Sequence, residues 1–127
     1  MKPEPSAAPR PGRAGEELAC RFLEGEGYQI LARNFSCRGG EVDVVARCGD
    51  ITVFVEVKER SSGGHGEGFE AVTTGKRARV VRAAMLFASK HGLSERPLRF
   101  DVVSILRPAD GAPQIRHDAG AFDADGF

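Results

Sequence analysis

The chain has 127 residues, the usual length of a single domain. Its 18 Lys and Arg residues balance 18 Asp and Glu residues, and this net charge of zero excludes a general attraction to polyanions, so any nucleic-acid contact requires a local basic patch. Three cysteines without a CxxC spacing predict neither a disulfide framework nor a zinc site, and without an apolar run of about 20 residues a cytoplasmic protein with no membrane partner is expected.

The first twelve residues differ in composition from the rest of the chain. They contain four of its seven prolines and almost no large apolar side chain, which is typical of a disordered segment. We therefore predict a disordered lead-in over residues 1–12, one folded domain over residues 13–122 and a tail over residues 123–127.

A first helix is predicted from Arg13 onward. Ala14, Leu18 and Phe22 recur at a spacing of four residues until two nearby glycines interrupt the pattern. By the same spacing, Glu16 lies at the edge of this apolar face rather than on the polar side of the helix.

The elements after this helix are predicted from the spacing of apolar residues and from local composition. Three strands are predicted first, from the runs YQILARNF, EVDVVAR and ITVFVEVKE. A glycine-rich loop that moves on binding, SSGGHGEGFEAVTTG, precedes a helix over Lys76–His91. A last strand is predicted for LRFDVVSIL, with only loop from Arg107 onward. The order αβββαβ predicts a single α/β domain, in which helices flank a mixed sheet of about four strands.

The register between the second and third strands depends on their connection. If the loop has two residues and begins at Gly49, as a type II′ turn prefers, Cys48 pairs with Ile51 and paired residue numbers sum to about 99. Asp43 then lies directly opposite Glu56 on the same face of the sheet. A three-residue loop would break this match.

Two carboxylates and a lysine would therefore converge at one end of the sheet, because Glu56 and Lys58 share a face of their strand and Asp43 joins them. Neighbouring carboxylates repel each other unless a cation lies between them, and Mg²⁺ takes oxygen ligands. Such an ion polarises a phosphoryl oxygen and generates a nucleophilic water, which a lysine can orient or deprotonate. This set is suited to phosphodiester hydrolysis, although an isolated E-x-K is most often a solvated pair.

The start of the second helix is the densest basic cluster of the chain. A charge run is usually a solvated helix face. A helix start also adds partial positive charge where a phosphate can bind. We therefore give contact with a nucleic-acid backbone the same weight as a solvated helix face. The residues concerned are Lys76, Arg77, Arg79 and Arg82.

These motifs resemble two related groups of proteins. Asp43, the triplet Glu56-Val57-Lys58 and the upstream Glu16 resemble the PD-(D/E)XK nuclease superfamily, with its restriction-endonuclease-like core. From about residue 12 to residue 105, the chain more closely resembles the YraN family of uncharacterised bacterial proteins, often described as endonucleases. The runs that carry this resemblance are GRAGEELA, GYQILARNF, RGGEVDVVA, FVEVKER, AVTTGKRARVVRAA and RFDVVSI.

The resemblance implies a role for each residue. Asp43 and Glu56 would bind Mg²⁺ or Mn²⁺, Lys58 would be the catalytic lysine, and Glu16 would be a supporting carboxylate like that on the first helix of archaeal Holliday-junction resolvases. Val42 stands where the superfamily name expects proline, but YraN-like sequences carry G-E-[IV]-D here. Nucleic acid is the implied partner, with DNA favoured over RNA, and a homodimer is expected on a two-fold symmetric substrate.

Other polar residues are predicted to be structural. Glu41 is expected to be an exposed turn carboxylate rather than a third metal ligand. Asp101 is expected to pair with an arginine, either Arg99 or Arg60. Three histidines at no ligand spacing are predicted to lie on the surface: His65, His91 and His117.

The function predicted from these residues is metal-dependent cleavage of nucleic acid, on branched or structured substrates among others. One alternative is a nucleic-acid-binding or assembly module that keeps the nuclease fold without turnover. Another is a module that contacts only proteins. The joint presence of Asp43, Glu56 and Lys58 argues against a pure binding module, because buried acidic groups repel phosphate.

Overall fold

The computed structural model describes residues 13–61 and 73–124. The predicted lead-in, most of the glycine-rich loop with His65, and the last three residues of the tail lie outside this range. The described elements are α1 (Arg13–Gly25), β1 (Gln29–Cys37), β2 (Gly40–Cys48), β3 (Ile51–Ser61), α2 (Thr74–Lys90), β4 (Leu98–Arg107) and β5 (Gln114–Phe122).

The strands form one mixed sheet of five strands in the order β1-β2-β3-β4-β5. Strands β3 and β4 run parallel, and the other neighbouring pairs are antiparallel. This arrangement confirms the predicted α/β class and is compatible with a single restriction-endonuclease-like domain.

The prediction of about four strands was wrong, because β5 was taken for loop. Its sequence, QIRHDAGAF, has few large apolar residues, as expected for a strand at the edge of a sheet. Backbone pairing with β4 holds it, from Phe100 opposite Phe122 to Leu106 opposite Gln114. The observed order is therefore αβββαββ.

The two helices cover opposite faces of the sheet, because residues along β3 alternate between two cores. Phe54 belongs to the core beneath α2, together with Val80 and Phe87. Val53 and Val55 belong to the core beneath α1. Neither described helix is long and apolar enough to cross a membrane.

The connection between β2 and β3 is the predicted two-residue turn. Cys48 pairs with Ile51, and Gly49 has the positive φ of +63° that favours glycine. Each pair sums to 99 up to Val44 opposite Val55, which confirms the predicted register over this part of the ladder.

Helix α2 begins two residues earlier than predicted, at Thr74. Thr73 is its N-cap, and its hydroxyl oxygen accepts a hydrogen bond from the Lys76 N–H at 3.2 Å. This cap fixes Lys76 and Arg77 in the first turn, at the helix end that carries partial positive charge.

The backbone of α2 lies unusually close to the start of β2. A Cβ atom on Gly40 would lie 2.6 Å from the carbonyl oxygen of Arg79 and 2.9 Å from the backbone nitrogen of Ala83. Only a residue without a side chain fits there unless the helix moves, so Gly40 sets the distance between α2 and the sheet.

Replacing Gly40 with alanine should therefore destabilise the fold. The added methyl group meets helix backbone, and overpacking of this kind costs about 1–3 kcal/mol. Urea denaturation of the variant would measure the loss. Gly25→Ala is the matched control, because a Cβ there meets nothing within 4 Å and alanine favours the helical conformation. Equal stability of the two variants would contradict the close approach of α2.

Candidate active site

The site lies where β2 separates from β3. Val42 packs in the core beneath α2, whereas Val44, two residues later, packs in the core beneath α1, so the regular alternation of β2 is interrupted at Asp43. The Asp43 Oδ2 atom accepts a hydrogen bond from the N–H of Val57 at 2.8 Å. Because of this irregularity, the Asp43 carboxylate contacts β3 at Val57, one residue after Glu56.

The Glu56 carboxylate is almost fully buried, with 1% of the residue exposed. Neither of its oxygens receives a hydrogen bond from the described part of the chain. The Lys76 Nζ atom lies 2.8 Å from Oε2, but its direction does not suit a hydrogen bond, so the contact is an ion pair. Lys76 thus compensates the charge at Oε2, whereas Oε1 accepts no hydrogen bond from the described residues and can take an additional cation.

Both carboxylates lose solvation, and this raises their pKa values. The pKa of Glu56 rises to about 7, chiefly through burial and then through repulsion by Asp43, while Lys76 opposes the rise. Burial also raises the pKa of Asp43, against the stabilising N–H of Val57. Contact with Glu56 raises the pKa of Lys76, which stays charged at neutral pH.

Lys58 follows Glu56 by two residues on β3, so both side chains leave the same face of the strand. It is half-buried and pairs with Ser104 in the parallel ladder with β4. The structure thus places Lys58 one step further toward the carboxyl end of β3 than Glu56.

Glu16 approaches this end of β3 from the other side of the sheet. It lies in the first turn of α1 and is 8% exposed. The adjacent Gly15 lies against the side chain of Glu59, near the end of β3. The burial of Glu16 agrees with its predicted place beside the apolar face, and its role at the site stays a prediction.

The four predicted nucleic-acid contacts all have protein partners. Lys76 turns inward to Glu56, a contact that no sequence pattern predicts because it depends on where α2 crosses the sheet. Arg77 lies 5.5 Å over the ring of Phe122. Arg79 and Arg82 stay exposed, and their contacts are with Glu41 at 3.9 Å and with the carbonyl oxygen of Arg38 at 2.7 Å, respectively.

The donors fit a hard divalent cation held by few protein ligands. No cluster of three or more His, Cys, Asp and Glu side chains suited to a metal occurs within residues 13–61 and 73–124. Mg²⁺ does not need one, since it is commonly held by one or two carboxylates while water and substrate phosphate complete its coordination. Asp43 and Glu56 supply such a pair, and Glu41 is an exposed carboxylate as predicted.

A second polar cluster, at the edge of the sheet, is structural. The buried Asp101 accepts hydrogen bonds from Arg99 at 2.8 and 2.9 Å and from the N–H of Gly120 at 3.0 Å. His117 Nε2 lies 2.7 Å from the same carboxylate. The predicted pairing of Asp101 with Arg99 is confirmed, whereas the prediction of a surface position for His117 was wrong because β5 brings it against β4.

Sequence comparison identifies the family. The profile described as "Uncharacterised protein family UPF0102" matches residues 15–105. The chain belongs to this family. A UPF0102 protein of Anaeromyxobacter dehalogenans is 48% identical over 115 residues, which cover 91% of this chain and 85% of the relative. A UPF0102 protein of Parafrankia sp. is 46% identical over 113 residues, covering 89% of this chain and 96% of the relative.

UPF0102 is the YraN group, so the predicted family membership is confirmed. The matched region contains the acidic pair and both lysines of the site. The names of these relatives state no reaction.

The raised pKa of Glu56 predicts that the metal-free protein loses stability as pH rises. Between the ordinary value of 4.5 and about 7, folded Glu56 holds a proton that the unfolded chain has released. This stabilising contribution is fully present below 4.5 and disappears as pH rises through about 7. Urea denaturation across this window, with a chelator present, should show it.

Glu56→Gln should flatten this part of the pH profile, because glutamine does not titrate. Glu95→Gln, at an exposed position, is the control and should keep the wild-type profile. If Glu56→Gln and wild type have the same dependence on pH, the carboxylate does not have a raised pKa.

Proposed function

We propose that the protein is a metal-dependent nuclease that hydrolyses phosphodiester bonds of nucleic acid. The observation that carries this proposal is the pair formed by the half-buried Asp43 and the buried Glu56, two neighbouring carboxylates where two strands separate. Neither Glu56 oxygen receives a hydrogen bond from the described residues. A structural role alone would favour a fully hydrogen-bonded carboxylate, as Asp101 is.

Each side chain has a definite task in this proposal. Asp43 and Glu56 hold Mg²⁺ or Mn²⁺, and the N–H of Val57 keeps the Asp43 carboxylate in position. Once bound, the ion supplies polarisation of a phosphate oxygen and a more acidic water. Lys58 orients that water or neutralises charge that develops on the phosphate. Glu16 assists from the first turn of α1.

The substrate backbone is expected along the start of α2. Arg79 and Arg82 are exposed there, and the first turn of the helix adds partial positive charge. With a formal net charge of zero, the chain can concentrate its attraction for phosphate only in such a local patch. DNA is the proposed substrate in preference to RNA, and a homodimer would match a two-fold symmetric one.

One observation favours a second candidate, a nucleic-acid-binding module without turnover. The Lys76 ammonium lies against Glu56 at 2.8 Å and supplies positive charge where a metal ion would otherwise be needed. If this ion pair is permanent, the two carboxylates have a structural role and need no metal ion. The protein would then be expected to bind nucleic acid equally well with a divalent metal or a chelator, and not to cleave it.

Cleavage assays separate the two candidates. Branched, single-stranded and duplex DNA and structured RNA are incubated with the protein and with Mg²⁺, Mn²⁺ or a chelator. We expect cleavage that requires metal and that falls roughly a hundredfold or more in Asp43→Asn, Glu56→Gln and Lys58→Met, because each change removes a group acting on the transition state. Glu95→Gln, exposed and far from β3 in sequence, is the matched control.

The outcome is decided by binding as well as by cleavage. Variants that still bind nucleic acid but no longer cut it support the catalytic assignment. Metal-independent binding without cleavage by any of the proteins supports the module. An activity that all three variants retain would show that the reaction occurs elsewhere in the protein.

A further inference from the structure

The contact between Lys76 and Glu56 joins helix α2 to strand β3. Lys76 lies in the first turn of α2, and Glu56 lies on β3 beneath it. The lysine side chain is 47% exposed although its tip lies 2.8 Å from a carboxylate oxygen in a residue that is 1% exposed. The Lys76 side chain therefore reaches a buried carboxylate while about half of its surface stays open to solvent.

We propose that Lys76 is a built-in counterion, which occupies the cation position at Glu56 in the metal-free protein and is displaced when a divalent ion binds. The inference rests on the proposed metal-dependent function and adds how the metal ion enters that site. It predicts a competition between an ammonium and a metal ion for one carboxylate.

Charge and space both favour exchange over joint occupancy. When both are ionised, Asp43 and Glu56 carry two negative charges, and Lys76 neutralises one of them. A divalent ion between the carboxylates would neutralise both, and an ammonium that stayed would then face a dication in a poorly solvated place. Both cations would also compete for the same Glu56 carboxylate, whose Oε2 atom lies only 2.8 Å from Nζ.

The helix allows this exchange without moving. Thr73 caps the first turn through its contact with the Lys76 N–H, and its carbonyl oxygen accepts a hydrogen bond from the Arg77 N–H at 2.9 Å. The close approach at Gly40 holds α2 on the sheet. Only the flexible side chain of Lys76 has to rotate, and its 47% exposure leaves it room to turn toward solvent.

The released ammonium would remain at the start of α2, where a phosphate is expected. Metal binding would thus turn a lysine that neutralises the empty site into a free cation on the substrate side. A lysine is well suited to this exchange, because its charge is compact, strongly hydrated and carried on a mobile stem.

Metal affinity in the absence of nucleic acid tests the proposal directly. Full-length wild type, Lys76→Met and Lys90→Met are titrated with Mn²⁺ by calorimetry. Lys76→Met removes the competitor and should bind Mn²⁺ roughly tenfold more tightly, within the usual range of coupling between two sites. Lys90→Met makes the same change at the other end of α2 and should bind like wild type. Equal affinities of wild type and Lys76→Met would overturn the exchange.

A measurement on the unmodified protein covers the case in which Lys76→Met does not fold. The side-chain ¹⁵N signal of Lys76 is followed by NMR as Mg²⁺ is added. We expect it to move to the position of a solvent-exposed lysine as the backbone signals near Asp43 and Glu56 report binding. A Lys76 signal that stays unchanged at metal saturation would overturn the proposal.

These results also separate this inference from the proposed function. Metal-dependent cleavage together with equal Mn²⁺ affinities would leave the nuclease assignment standing and remove the exchange. Tighter Mn²⁺ binding by Lys76→Met without any cleavage would support the exchange and count against the nuclease. If no protein binds Mn²⁺ or Mg²⁺, both ideas are wrong.

Discussion

The packing of the buried Glu56 carboxylate beside the half-buried Asp43 carboxylate is the interaction that constrains the rest of the site. Asp43 and Glu56 lose water, repel each other and show raised pKa values, so the fold must supply compensating charge. It does so from two sides. The N–H of Val57 stabilises Asp43 from within the sheet, and the ammonium of Lys76 approaches Glu56 from α2.

The position of α2 follows from a steric condition rather than from charge. Gly40 lets the helix backbone approach β2 so closely that a methyl group would not fit, and Thr73 fixes where the first turn begins. Together these two contacts bring Lys76 over Glu56. Basic residues further along the helix, such as Arg79, remain exposed on the same element. One helix thus carries both a charge that enters the site and charges that face solvent.

Local patterns were sufficient for the hairpin that carries the acidic pair. A glycine-first turn fixes the register as far as Val44 opposite Val55, which brings Asp43 to the part of β3 that carries Glu56. The same reasoning failed for β5, because an edge strand is held by backbone pairing and needs little apolar sequence. It also failed for His117, which is covered only because β5 lies beside β4 and brings the ring to Asp101.

Local sequence was enough to predict the α/β class, the family and the turn at Gly49, because turn chemistry and periodicity are local properties. Only the tertiary structure decided that the alternation of β2 breaks at Asp43 and that Lys76 turns inward. Both depend on how closely a helix packs on a sheet, which is set by contacts between residues distant in the chain. The electrostatic balance of the site is therefore a property of the folded molecule.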